Sequence, residues 1–276
     1  MRKALTIAGS DSCGGAGIQA DIKTFSAHGV YGMSIITAVT AQNTQGVLAV
    51  QDIEEKIIKA QMDAIFKDIN VDALKIGMVS KIETIEAIGK KLKEYNPKNI
   101  VLDPVMVSKS GYSLLRPESK EALIKTLIPL ATIITPNIPE AEVILKAIKS
   151  EIIEIKTIED MEKAAKIIYK LGCKNVLMKG GHIEGEAIDV LYDGRDLTHF
   201  YSKRIDAKNT HGTGCTLSSA IASNLALGYD MVESIRRAKE YITEAIEQSF
   251  SIGHGVGPTH HFYRLYKKAG IEDGDM

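Results

Sequence analysis

The sequence predicts an α/β fold with a mainly parallel sheet covered by helices on both faces. Two observations predict it. Strand-sized β-rich runs alternate with amphipathic helical periods, and polar or glycine-rich segments follow the ends of the runs. Helices of that size serve as crossovers between parallel strands and cover both sheet faces. Ala4 to Ala8 is the first strand, and Ile18, Ile22 and Phe25 then share one helical face. Ser34 to Ala41 reads as the second strand. A helix follows with Ile57, Ile58, Met62, Ile65 and Phe66 on one side. Ala73 to Ile76, Ile100 to Leu102, Thr132 to Ile134 and Val176 to Met178 are further strands. Thr157-x-x-Asp160 resembles a capping box and opens a helix whose buried stripe is Met161, Ala164, Ala165 and Ile168. Ala187 to Tyr192 and Leu197 to Tyr201 flank an Asp193-Gly194 turn, a hairpin signal. Two helices follow, Thr213 to about Gly228 and Met231 to about Phe250. The tail then turns through Gly253-His254-Gly255-Val256-Gly257-Pro258. Without a repeat, a low-complexity segment or a linker, residues 1–276 read as one domain.

The composition narrows the function classes. A chain of 276 residues with 45% hydrophobic and 25% charged residues can bury the core of an ordinary globular enzyme. The 34 Lys+Arg nearly cancel the 35 Asp+Glu. That balance gives no reason to expect a nucleic-acid or anionic-membrane partner. Arg2-Lys3 leads only into the short Ala4-to-Ala8 run, and no apolar stretch reaches membrane-spanning length, so a cytoplasmic protein is expected. Cys13, Cys173 and Cys215 are too widely spaced for a disulfide framework or a CxxC metal site. His254, His260 and His261 lack the further ligands that zinc requires.

Ligands of open α/β sheets bind beyond the carboxyl ends of the strands. The unusual segments fall there: Gly9-Ser10-Asp11, Gln42-Asn43, Gly77-Met78, Asp103-Pro104-Val105, Thr135-Pro136-Asn137 and Lys179-Gly180-Gly181. They should converge on one rim. Gly15-Ala16-Gly17-Ile18-Gln19-Ala20 fits GxGxxA, but no acidic residue ends the second strand to hold a ribose. Gly9 and Gly14 have P-loop spacing, yet Gly15-Ala16 replaces the required Lys-Ser/Thr pair. A glycine turn that lets backbone approach a helix start explains the segment equally well. Asp21 borders an apolar helical face, and taken alone it reads as a solvated edge residue. Asn209-Thr210-His211-Gly212-Thr213-Gly214-Cys215 leads into a helix carrying Leu217, Ala220 and Ile221. Free N–H groups at such a start form an anion site, and a thiolate at Cys215 is favoured there. A helix cap with a small buried cysteine is the plainer alternative.

Taken in order, these motifs resemble the hydroxymethylpyrimidine/phosphomethylpyrimidine kinases of the ribokinase superfamily. The resemblance rests on Ala8-to-Asp11, Gly14-to-Asp21, Ala41-to-Asn43, Lys75-to-Met78, Leu102-to-Met106, Thr135-to-Asn137, Lys179-to-His182, Thr210-to-Cys215 and Gly253-to-Pro258. It implies a ribokinase-like three-layer α/β/α fold and ATP-dependent phosphorylation of 4-amino-5-hydroxymethyl-2-methylpyrimidine and its monophosphate, in thiamin biosynthesis. It also implies ATP and Mg2+ as cofactors and a homodimer. Gly9, Asp21, Gln42, Met78 and Val105 would form the pyrimidine pocket, with Gln42 both donating and accepting hydrogen bonds. Asn137, Lys179 and Thr213 would bind ATP, and Glu140 would hold magnesium with Asp103 assisting through bound water. Gly212, Thr213, Gly214 and Cys215 would form an anion hole for the transferring phosphate. Cys215 is then the candidate base, in a reaction whose loose transition state needs little early deprotonation. Cys13 departs from the pattern, since serine is commoner there.

A pyridoxine/pyridoxal kinase is the nearest rival reading. Gln42-Asn43 and the Gly253-to-Gly255 tail favour the pyrimidine branch. A non-catalytic vitamin-binding regulator conflicts with the intact Asn137, Glu140, Lys179 and Gly212-to-Cys215 set. An NAD-linked oxidoreductase lacks its ribose acid.

Overall fold

The computed structural model describes residues 1–106, 115, 118–152, 154–181 and 187–271. Its elements are, in chain order, β1 (Lys3–Ala8), α1 (Gly17–Ala27), β2 (Tyr31–Ile36), β3 (Ala38–Asn43), β4 (Gly46–Asp52), α2 (Glu55–Phe66), β5 (Ala73–Ile76) and α3 (Ile82–Tyr95). There follow β6 (Ile100–Leu102), α4 (Ser119–Thr126), β7 (Ile133–Ile134), α5 (Ile138–Ala147), α6 (Ile158–Tyr169) and β8 (Val176–Met178). The chain continues through β9 (Ala187–Tyr192), β10 (Leu197–Ser202), α7 (Thr213–Leu227), α8 (Met231–Glu247) and α9 (Tyr263–Ala269).

The main sheet runs in the order β10-β9-β8-β7-β6-β5-β1-β2. Pairings from β2 to β8 are parallel, and the β9–β10 hairpin closes one edge antiparallel. Strands β5, β6 and β8 are buried along their whole length. That is why β6 and β8 read as unbroken apolar runs rather than alternating ones, and β5 does so except at Lys75. Leu5, Ile7, Leu74, Ile76 and Leu102 face α2 to α6 on one side, joined by Ile58, Ile88, Ile144 and Met161. Ala4, Ala73, Val101, Ile133 and Leu177 face α1, α7 and α8 on the other, with Phe25, Ile221 and Ile235. Helices therefore cover both faces in three layers.

Several sequence expectations shift here. Ser34 to Ala41 is not one strand. The chain leaves the main sheet at Thr37, whose N–H still bonds to the Ala8 carbonyl at 3.0 Å, and enters the antiparallel β3–β4 ribbon. The β-rich run continues through the break, so composition alone does not mark it. Ile57 is 47% exposed, on the outer side of α2, while Ile58 and Met62 face inward. Helix α8 ends at Glu247, short of Phe250. Helix α7 is not amphipathic but enclosed, because it packs against α1, α8 and strands β1, β5 and β6 at once. Every residue from Thr216 to Ala226 is buried. The Thr157/Asp160 capping box forms as expected, and a second one joins Asn137 to Glu140.

Candidate active site

The strand ends and the start of α7 bring most of the expected residues to one rim. Gly9 follows β1, and its carbonyl accepts the Ile18 N–H at 3.0 Å, so the strand's end and the helix meet backbone to backbone. Gly17 has φ +55°, and a side chain there would strike the Gly9 carbonyl. Met78 packs on Gly9 so closely that a Cβ at Gly9 would lie 2.9 Å from its Sδ. Gln42 lies beside the bulge in β3, its Nε2 3.4 Å from His211 Nε2. Val105 is half-buried in a turn closed by its N–H to the Asp103 carbonyl at 2.8 Å. The ribbon is tied to the tail through Val256 N–H to the Thr44 carbonyl (2.9 Å), and the tail in turn holds the His211 N–H on the Gly257 carbonyl (3.0 Å).

At the other end of the rim, Asp103, Glu140 and Lys179 come together from three strand ends. Lys179 Nζ lies 3.0 Å from Asp103 Oδ1 and 3.9 Å from Glu140 Oε2. Asp103 also accepts from Thr135 Oγ1 (3.2 Å) and Ser218 Oγ (3.4 Å). Asn137 caps α5 and accepts the Glu140 N–H at 2.9 Å, while Glu140 Oε2 accepts the Asn137 N–H at 2.8 Å. Two carboxylates thus share one ammonium. Burial pushes the Glu140 carboxyl up to about 7; Lys179 pulls it down and the Asp103 charge pushes it further up. Burial opposes the Lys179 charge, but Asp103 and Glu140 outweigh it and hold the ammonium above its usual range.

The start of α7 faces this group. A Cβ on Gly214 would sit 3.5 Å from Lys179 Nζ and 3.6 Å from Asp103 Oδ2. Gly212 has φ +79°, and a side chain there would run into the Gly15 carbonyl. Only glycine permits that approach without strain. Thr213 is the first residue of the helix, where N–H groups lack intrahelical partners and favour an anion.

The family model described as phosphomethylpyrimidine kinase matches residues 11–260. The chain belongs to that family. It is 52% identical over 268 residues to the hydroxymethylpyrimidine/phosphomethylpyrimidine kinase of Rhizobium meliloti (strain 1021), covering 96% of this chain and 98% of that one. The crystal structure of phosphomethylpyrimidine kinase from Clostridium difficile 630 is 57% identical, with a TM-score of 0.79 over 89% of this chain and 100% of that one. An ADP complex of Bacillus subtilis pyridoxal kinase gives a TM-score of 0.88 at 45% identity, covering 96% and 99%.

Two residues of this phosphomethylpyrimidine kinase family member depart from their sequence reading. Asp21 is not a solvated edge residue: it is fully buried. Its carboxylate accepts from Thr6 Oγ1 (2.6 Å), Ser219 Oγ (2.6 Å) and Lys75 Nζ (2.9 Å to each oxygen). Nor is Cys215 a ready thiolate. Burial pushes its thiol up to about 11; Lys75 pulls it down, and Asp21 and Asp103 push it further up.

Sequence reasoning gave no role to Lys75, Asp11 or His211. The lone lysine inside Ala73-Leu74-Lys75-Ile76, a fully buried strand, is the signal for a sealed ion pair. Asp11 and His211 are 200 residues apart and meet at 2.8 Å, with no local signature. His182 lies outside the described residues.

Proposed function

We propose that the chain transfers the γ-phosphoryl group of ATP to 4-amino-5-hydroxymethyl-2-methylpyrimidine and then to its monophosphate, giving the diphosphate for thiamin biosynthesis. The observation that carries this reading is the Asp103–Lys179–Glu140 group set against the free N–H groups of α7. That arrangement suits a phosphate chain on one side and a transferring phosphoryl group on the other. The substrate hydroxyl oxygen attacks the γ-phosphorus, the bond to the bridging oxygen of ADP breaks, and the hydroxyl proton leaves. Lys179, with Asn137 and Thr213, would hold the nucleotide phosphates. Gly212 and Gly214 keep the anion hole free of side chains. Cys215 enters the reaction as a thiol lining the hole, so it takes no proton; the hydroxyl proton passes to a transferred-phosphate oxygen or to solvent as the new O–P bond forms. A loose phosphoryl-transfer transition state tolerates that timing.

Magnesium fits the residues present. Asp103 and Glu140 are hard oxygen donors set beside a single ammonium, Lys179 Nζ lying 3.0 Å from Asp103 and 3.9 Å from Glu140. Glu140, with Asp103 through bound water, would hold the ion. Once bound it would supply Lewis-acid neutralisation of phosphate oxygens. At the far end, Gly9, Met78 and Val105 offer apolar contact to the ring, and Gln42 pairs with the aminopyrimidine edge, with Asp21 and Lys75 fixing the wall behind. A cytoplasmic, single-domain homodimer completes the proposal.

A coupled ATP assay with product masses tests it, comparing hydroxymethylpyrimidine, its monophosphate and pyridoxal. Turnover of both pyrimidines to the diphosphate is expected, with pyridoxal the weaker substrate. Pyridoxal turnover alone would overturn the pyrimidine reading.

A further inference from the structure

Three side chains from two distant stretches meet beside Gln42 and are not used by the reaction proposed above. Asp11 follows β1, Cys13 lies two residues on, and His211 leads into α7. Their ligand atoms all lie within 4.8 Å of one another, the one His/Cys/Asp/Glu group of this kind among the described residues. Cys13 Sγ donates to Asp11 Oδ1 at 3.1 Å, and His211 Nε2 lies 2.8 Å from Asp11 Oδ2. The Asp11 carboxylate is buried and held by the N–H groups of Cys13 (3.0 Å), Gly15 (3.0 Å) and Ala16 (2.7 Å). The His211 ring rests on Gly15, where a side chain would strike its Cδ2. Backbone therefore fixes two of the three donors before any ligand arrives.

We propose that Asp11, Cys13 and His211 form a site for a borderline-soft divalent cation, Zn2+ above all. The cluster is now held by a thiol proton and an imidazole proton aimed at one carboxylate. A zinc ion replaces both. Sγ binds as thiolate and its proton passes to solvent, while Nε2 binds as neutral imidazole with its proton on Nδ1. One Asp11 oxygen is the third ligand. The 2+ charge of the metal is then cancelled by one thiolate and one carboxylate, which suits a largely buried position. Tetrahedral zinc with N, O and S ligands sets neighbouring donors roughly 3.3–3.6 Å apart. The present 3.1 Å and 2.8 Å separations need a slight opening, and the Cys13 and His211 donors already lie within 4.8 Å of each other. Sulfur and imidazole donors select against magnesium. Gln42 Nε2 lies 3.4 Å from His211 Nε2, so occupancy would alter the pocket. That consequence rests on the pyrimidine reading; metal binding itself does not.

Zinc titration of the full, metal-stripped chain against a chromophoric chelator tests the site, alongside Co2+ absorption. One ion per chain at micromolar or tighter affinity is expected, with a thiolate-to-cobalt charge-transfer band. Cys13→Ser keeps the donor to Asp11 and should weaken zinc binding about tenfold or more and abolish the band. His211→Gln should weaken binding comparably, and Cys215→Ser should leave both readouts unchanged. On the wild-type chain, zinc should slow alkylation of Cys13 mapped by mass spectrometry. Absence of zinc binding, an unchanged band in Cys13→Ser, loss of the band in Cys215→Ser, or unprotected Cys13 would each overturn the site.

Discussion

Two buried lysine–aspartate pairs flank the start of α7, and they are built for different purposes. Lys75–Asp21 is sealed, with both side chains at 0% exposure and both carboxylate oxygens engaged by Lys75, Thr6 and Ser219. Lys179–Asp103 is open towards the rim, and Glu140 adds a second carboxylate to the same ammonium. A sealed pair cannot meet a ligand, and it pins β1, β5, α1 and α7 to one another. An open pair with surplus negative charge has something left to bind. The same two residue types serve as a scaffold in one place and as working parts in the other, and the difference lies in access and charge balance.

The largest effect expected concerns the sealed pair. Lys75→Met leaves the Asp21 charge buried without its partner, at a cost of about 3–5 kcal/mol. Urea unfolding measures this, and adding Asp21→Asn to the same chain should return part of the loss. A loss below about 1 kcal/mol would mean that the pair is not the scaffold described. Glu140→Gln acts on the open group. We expect kcat to fall on the order of 10²-fold, with partial recovery at high magnesium. Wild-type magnesium dependence in that variant would remove Glu140 from the metal site.

At the pyrimidine end, Gln42→Leu nearly keeps the volume but removes the amide. Transition-state binding should weaken by ~1–3 kcal/mol for both pyrimidines, read as kcat/KM. An unchanged value would take Gln42 out of the pocket. The smallest effect lies between the two pairs, at Cys215. Its thiol is held up to about 11, so it stays protonated at neutral pH. Alkylation of Cys215 should therefore be slow near pH 7 and keep rising towards pH 11. A plateau at or below pH 8 would show a resident thiolate and restore the base assignment.

The sequence made the layers and the rim legible because both are written locally. Buried strands such as β6 and β8 are short apolar runs, and ligand-binding segments follow strand ends wherever a sheet is open. Asp103, Glu140 and Lys179 were nameable for that reason, together with the resemblance. What was not legible depends on long-range packing. The break at Thr37 is invisible because β-propensity runs straight through it. The enclosure of α7 is set by α1, α8 and the sheet, and no periodicity in Thr213 to Leu227 announces it. Asp21 looked like an edge residue because its three partners come from β1, β5 and α7. Cys215 looked like a thiolate because a helix start is local, whereas the burial that chiefly opposes ionisation, and the Asp21 and Asp103 charges that add to it, are set by distant packing.

The measurement that tests the division between the pairs most directly is a paired comparison of Lys75→Met and Lys179→Met. Urea unfolding in the presence of magnesium and kcat for both pyrimidine substrates are read on the same preparations. The account predicts a crossing pattern: Lys75→Met loses most of the stability, while Lys179→Met stays folded and loses kcat on both substrates alike. Equal destabilisation by the two variants, or near-wild-type kcat in Lys179→Met, would contradict it.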